Sequence, residues 1–102
     1  MEDVVIETLI IEPDREEHIA KHDIAIKEVL EVLSSEYVFI AGKLDRRLLI
    51  GKTKKKRFLT IVLGVRKGKN IYGLVTARPS RRVEKSFYHE FLLEGGDKDD
   101  KN

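Results

Sequence analysis

The chain lacks several residue types that carry common protein chemistries. Its 102 residues include no cysteine and no tryptophan, only two prolines and three histidines. Disulfides and thiol nucleophiles are therefore excluded, and three histidines without cysteine disfavour a zinc site. No apolar run approaches the roughly 20 residues of a membrane span, and the apolar residues 4–11 are interrupted by Glu7, unlike a signal peptide. We expect a cytoplasmic, soluble protein without a metal or cofactor.

Charge is abundant but unevenly distributed. Charged residues make up 37% of the chain, yet the net charge is only +2. Residues 43–69 contain eleven basic residues and a single acid, Asp45, whereas most acids lie in the N-terminal part and in the C-terminal tail. A concentration of positive charge on one surface attracts polyanions, so a nucleic acid is the expected partner of this basic middle.

Hydrophobic patterning predicts the element order β-α-α-β-β-β-β-α. Apolar and β-branched runs predict strands at residues 4–11, 37–41, 47–51, 58–65 and 71–77. Helices are predicted from Asp14, which fits a capping box with Glu17, to about residue 21, then over residues 26–33, and finally from Pro79 to about residue 93. Short turns between strands indicate an α+β domain at residues 1–94, with helices on an antiparallel sheet of four to five strands, and a disordered polar tail at 95–102.

The last predicted strand and helix gather groups that suit phosphate chemistry. Pro79 is expected to end the strand and to open the helix, which places Arg78 at the corner between them. Arg81, Glu84, Lys85 and Tyr88 then follow at spacings of three and four residues, so they lie on adjoining helix faces. Cations, a carboxylate and a phenol in this arrangement can bind and cleave a phosphodiester, or they can form an ordinary solvated helix.

Three segments together resemble the BrnT-type toxins of bacterial and archaeal type II toxin–antitoxin pairs. The sequence EHIAKHDI at residues 17–24 is followed by EVLEVL at 28–33, LIGKT at 49–53 by RFLTIV at 57–62, and VTARPSRRVE at 75–84 by Tyr88. The match departs from the family pattern before the first helix, where a Trp-Asp pair is missing, and at Asp23 and Ala25, where glycine and a Ser/Thr cap are usual. These departures leave open a divergent or inactive member.

The resemblance implies a RelE-like fold and a metal-independent endoribonuclease activity. It also implies a partner antitoxin that is BrnA-like, with a ribbon-helix-helix DNA-binding domain, and either a homodimer or a toxin–antitoxin heterotetramer. The cleavage expected is attack by the RNA 2′-hydroxyl on the adjacent phosphate, with Arg78 and either Arg57 or Arg81 stabilising the charge. The alternative is a non-catalytic module on the same scaffold that binds RNA or an antitoxin.

Four residues are candidates for catalysis, each with a structural alternative. Arg78 can bind a phosphate through two hydrogen bonds, and its structural alternative is a salt bridge to an acidic residue of a helix. Arg57 matches the family's arginine as a second phosphate ligand, or closes a hairpin turn. Glu84 can act as a general base or orient Arg78, and its structural alternative is to form a salt bridge on the helix. His22 suits general acid–base catalysis, or is a packing residue of the turn.

Further residues are predicted to bind RNA rather than to react with it. The lysines of one turn attract RNA without sequence preference, and the helix arginines and the tyrosine lie near the proposed corner. Tyr88 is alternatively the edge of the core, and Arg82 alternatively pairs with nearby acids. The RNA-binding set is Lys54, Lys55, Lys56, Arg81, Arg82 and Tyr88.

Overall fold

The predicted element order is confirmed. The computed structural model describes the backbone of residues 5–101 and the side chains of residues 5–92, so residue 4, where the first strand is predicted to begin, and Asn102 lie outside the described residues. The strands are β1 (Thr8–Ile10), β2 (Tyr37–Ala41), β3 (Arg46–Lys52), β4 (Phe58–Val65) and β5 (Ile71–Pro79), and the helices are α1 (Pro13–Ala20), α2 (Ile26–Leu33) and α3 (Arg82–Lys101). The single domain at 1–94 and the disordered tail at 95–102 stay predictions.

The five strands form one sheet in the order β1-β5-β4-β3-β2. Strands β2 to β5 pair antiparallel as predicted, because short turns connect them. Strand β1 runs parallel to β5, with Thr8 opposite Ile71 and Ile10 opposite Gly73. The sheet is therefore mixed but mostly antiparallel, and the chain has the α+β architecture that the sequence predicts.

Helices cover both faces of the sheet. The larger core packs α1 and α2 against one face, with its fully buried side chains on alternate positions of β4: Leu59, Ile61 and Leu63. Phe58, Thr60 and Val62 alternate with these residues and point to the opposite face, where Phe58 packs on Tyr88 of α3. The two faces of β4 consequently present different chemistry, apolar toward α1 and α2 and mixed toward α3.

Pro79 ends a strand as predicted, but it does not begin a helix, so the predicted start of the last helix is wrong. It pairs with Leu59 as the last residue of β5, and α3 starts three residues later at Arg82. The next amide, of Ser80, donates to the carbonyl of Phe58 at 3.1 Å. In an antiparallel ladder this places the nitrogen of Pro79 on the side away from β4, where β1 does not reach, and a missing N–H costs nothing there.

The first helix does not begin with the capping box predicted at Asp14. Helix α1 begins at Pro13 with Glu12 as its N-cap and without a side-chain cap, because the fixed φ of proline suits the first helical position. At α2 the N-cap residue Ala25 has no side-chain oxygen that could accept a hydrogen bond, but its backbone amide donates to Oε1 of Glu28 at 3.0 Å. In the turn between these two helices, Asp23 adopts the left-handed conformation with φ 62.

Gly51 lies where Val32 of α2 packs closely against the sheet. A Cβ there would lie 2.8 Å from the Cγ1 of Val32 and 3.2 Å from the carbonyl oxygen of Glu36. We expect Gly51→Ala to lower the free energy of unfolding by about 1–3 kcal/mol through overpacking. Thermal unfolding checks this, with Gly64→Ala as control, because the Cβ added there meets the flexible end of Arg46 at 3.0 Å. Equal losses in both variants would contradict the packing argument.

Candidate functional site

Arg78 is held by a two-pronged ion pair at the end of β5. Its Nη1 donates to Oε1 of Glu84 at 2.7 Å, and its Nη2 donates to Oε2 at 2.6 Å. This is the parallel, bidentate geometry in which a guanidinium and a carboxylate bind most strongly. The pair connects the last strand to the first turn of α3, and it is the salt bridge that the sequence offered as the structural alternative for both residues.

Glu84 is bonded from three segments of the chain. Besides Arg78, the hydroxyl of Thr60 on β4 donates to Oε1 at 2.9 Å, and the backbone amide of Arg81 donates to the same oxygen at 2.7 Å. Thr60 Oγ1 also lies 2.9 Å from Ser80 Oγ. The carboxylate therefore satisfies a helix N-terminus, where negative charge is favoured, while it fixes the guanidinium.

This environment makes Glu84 a weak base. Burial by itself raises the pKa of its carboxyl, but the hydrogen bonds from Arg78, the Arg81 amide and Thr60 outweigh burial and lower the pKa from 4.5 to about 2. A general base works best when its pKa lies near the working pH. Of the two functional roles predicted for Glu84, the geometry thus favours orienting Arg78 over abstracting a proton.

Arg78 keeps donors that Glu84 does not use. A guanidinium carries five N–H groups, and the described contacts of Arg78 engage one on each terminal nitrogen. Its side chain is 23% exposed, against 13% for Glu84. The cation is therefore fixed in direction yet reachable from solvent, and a preorganised donor of this kind can bind a phosphate.

Arg57 lies on the opposite face of the sheet from Arg78. Its Nη1 donates to the carbonyl of Asp23 at 2.7 Å and to Glu28 at 3.1 Å, and its Nη2 donates to the carbonyl of His22 at 3.4 Å. These partners belong to the α1–α2 turn, whereas Arg78 bonds to α3. The structure does not bring the two arginines together, and Arg57 holds the helical turn against the hairpin that precedes β4.

His22 shares the location of Arg57 and not that of Arg78. It is exposed, and its ring packs edge-on against His18 with 5.4 Å between centroids. Its carbonyl accepts from Arg57. A proton-transfer role for His22 beside Arg78 is therefore not supported by its position, while its role in the turn is visible.

The predicted RNA-binding residues fall into two groups. Lys54, Lys55 and Lys56 are exposed in the β3–β4 turn, where Lys56 has a left-handed φ of 66. Arg81 and Arg82 are exposed at the start of α3, and within residues 5–92 neither side chain forms an ion pair. These five side chains are exposed and can meet a polyanion.

Tyr88 belongs to the core. It is 4% exposed and packs edge-on against Phe58 at 5.2 Å between ring centroids. Burial, together with the nearby charge of Glu36, raises the pKa of its hydroxyl. Direct contact with a base or phosphate would require this ring to leave the core, so the core-edge alternative describes it better.

Sequence reasoning missed a cluster of basic residues around Phe58. The Nζ atoms of Lys52 and Lys85 lie 5.4 Å and 5.8 Å from the centroid of this ring, and the ring of His89 lies 5.6 Å from it. The pairing of Lys52 with Phe58 across β3 and β4, and the four-residue spacing of Lys85 and His89, were visible signals. Sequence spacing does not show that α3 crosses over the ends of β3 and β4, and this crossing brings Lys85 and His89 to Phe58.

Residues 5–92 contain no group of three or more acids and histidines that could hold a metal ion. In the described part of the chain, no helix combines the length and apolar character needed to cross a membrane.

Comparison with known proteins identifies the fold. No family model and no curated protein matches the chain. Among solved structures it is similar to a crystal structure of the Brucella abortus ribonuclease toxin, BrnT, with 20% sequence identity and a TM-score of 0.57, over 74% of this chain and 97% of that one. The chain therefore has a BrnT-like fold, and the fold that the three sequence segments led us to expect is confirmed.

Proposed function

We propose that this chain is an endoribonuclease toxin of a type II toxin–antitoxin pair, acting on RNA in the cytoplasm. The observation that carries the proposal is a fixed, solvent-reachable guanidinium at Arg78 on a fold shared with a ribonuclease toxin. The exposed cations of the β3–β4 turn and of the start of α3 add the positive surface that an RNA strand needs.

The reaction proposed is transesterification within the RNA. The oxygen of the 2′-hydroxyl loses its proton and attacks the adjacent phosphorus, while the bond from phosphorus to the 5′-oxygen breaks and that oxygen takes up a proton. The products are a 2′,3′-cyclic phosphate and a 5′-hydroxyl. Negative charge on the phosphoryl oxygens grows as the new bond forms, and the unused N–H groups of Arg78 stabilise it. A permanent guanidinium supplies charge that a metal ion supplies elsewhere, so we propose that cleavage needs no metal.

Glu84 acts in this scheme as a positioning residue. It holds Arg78 in one orientation before the substrate arrives, so little reorganisation is needed in the transition state. Arg81, whose amide bonds to Glu84, is the second cation of the site in place of Arg57.

A partner antitoxin follows from the same fold likeness. We propose a small protein with a ribbon-helix-helix DNA-binding domain, BrnA-like, that binds the toxin and blocks RNA access. A homodimer or a toxin–antitoxin heterotetramer is the proposed assembly. Size-exclusion chromatography with light scattering, on the chain alone and with the product of an adjacent gene, tests both.

Incubation of the purified protein with RNA in excess EDTA tests the central proposal. We expect cleavage that persists without divalent metal and leaves cyclic phosphate ends, detectable by gel electrophoresis and mass spectrometry. Cleavage that requires added Mg²⁺ would overturn metal independence. RNA binding without cleavage would favour the non-catalytic alternative, which the full engagement of Glu84 and the distance of His22 from Arg78 also allow.

A further inference from the structure

Two ammonium groups converge on one aromatic ring on the α3 face of the sheet. Lys52 Nζ lies 5.4 Å from the centroid of Phe58 and 5.9 Å from that of Tyr88, and Lys85 Nζ lies 5.8 Å from the Phe58 centroid. One lysine comes from the end of β3 and the other from α3, so the tertiary fold brings them together. Over residues 5–92, neither lysine forms an ion pair.

An aromatic ring holds a cation without neutralising it. The negative face of the ring attracts the ammonium, but the full positive charge remains available to an anion. Arg57, Arg66 and Arg78, by contrast, each face a carboxylate. The charges of these three arginines are therefore compensated by carboxylates. Lys52 and Lys85, by contrast, are ordered by an aromatic ring and keep their full positive charge.

The cluster lies next to Arg78 along β4. Phe58 and Thr60 are two residues apart on the same face of this strand, a spacing of roughly 7 Å. Thr60 donates to Glu84, which holds Arg78, and the carbonyl of Phe58 accepts from Ser80. A single RNA strand that places one phosphate at Arg78 can therefore place a neighbouring phosphate between the two lysines.

We propose that Lys52 and Lys85 form a phosphate-binding subsite for the RNA backbone, ordered by Phe58 and adjacent to the cleavage site. The proposal depends on the proposed function for its ligand, RNA, but concerns binding and not chemistry. The subsite sets where the strand lies relative to Arg78. The plain alternative is that both lysines merely cover the apolar cluster with their stems while their charges stay in water.

Binding of a labelled 2′-O-methyl RNA oligonucleotide, measured by fluorescence anisotropy over a range of salt concentrations, separates the two. This probe lacks the attacking hydroxyl, so binding is read without cleavage. In the double variant Lys52→Met/Lys85→Met the stems still cover Phe58, but both charges are gone. We expect Kd to rise roughly tenfold, and the slope of log K against log salt to fall in magnitude by about 1.4, the value for two contacts on a single strand.

Lys43→Met/Lys69→Met is the matched control, since it removes the same charge from two exposed turn positions. The proposal is overturned if both double variants change Kd and slope equally, or if Lys52→Met/Lys85→Met binds like wild type. A chain that cleaves RNA but shows either result retains the proposed function and loses the subsite. A chain that cleaves nothing but shows the specific loss of affinity retains the subsite and loses the proposed activity.

Discussion

Replacement of Arg78 by lysine is expected to lower the rate of RNA cleavage by about 10²-fold or more. Lysine keeps the charge, so the loss measures geometry. The guanidinium engages both oxygens of Glu84, at 2.7 and 2.6 Å, and still has N–H groups for a phosphate. A lysine ammonium is a single point of charge that cannot keep a bidentate pair and also point at a substrate in a fixed direction.

Single-turnover cleavage of a defined RNA, at saturating enzyme, is the measurement for Arg78→Lys. Circular dichroism must show a folded variant at the assay temperature. Arg66→Lys is the matched control, because Arg66 also pairs with a carboxylate, Glu12 at 3.3 Å, but at the opposite end of β4. Cleavage by Arg78→Lys within about twofold of wild type, or a comparable loss in Arg66→Lys, would show that Arg78 does not stabilise the transition state.

Local hydrophobic patterns were sufficient to predict the bounds of two strands. The observed bounds of β2 and β4 are the predicted ones, because apolar runs flanked by turn residues encode both the strand and its ends. Strand β1 was predicted over residues 4–11 and spans Thr8–Ile10. Its length is set by pairing with Ile71–Gly73, more than sixty residues away, and no local pattern contains that contact.

The sequence alone could not predict that Arg57 and Arg78 lie on opposite faces of the sheet. Leu74 and Ala77 belong to the same core although their spacing is odd, because the β4–β5 register shifts between Val62 and Leu63. Simple alternation from Leu74 would put Arg78 on the α1–α2 face, beside Arg57. The irregularity reverses the alternation and turns Arg78 toward α3.

Conversion of Glu84 to glutamine is expected to lower the free energy of unfolding by about 2–4 kcal/mol, and the melting temperature by roughly 10–20 °C. The variant keeps the shape of the side chain but removes the charge that compensates Arg78 and accepts from Thr60 and the Arg81 amide. The lower part of the range allows for the exposed fractions of the pair, 23% for Arg78 and 13% for Glu84.

The pH dependence of this loss identifies the carboxylate as its cause. The pKa of Glu84 is about 2 in the folded chain against 4.5 without its partners. A lowered folded-state pKa stabilises the protein above the unfolded-state value, and the stabilisation disappears as pH falls from about 4.5 to about 2. The free energies of unfolding of wild type and Glu84→Gln should therefore differ most near neutral pH and converge in acid.

Denaturant unfolding from pH 7 to pH 2 measures this difference, with the exposed Glu90→Gln as the control on the same helix. A gap between wild type and Glu84→Gln that stays constant down to pH 2 would mean that the loss comes from packing, and that Arg78 is held in place without the charge of Glu84.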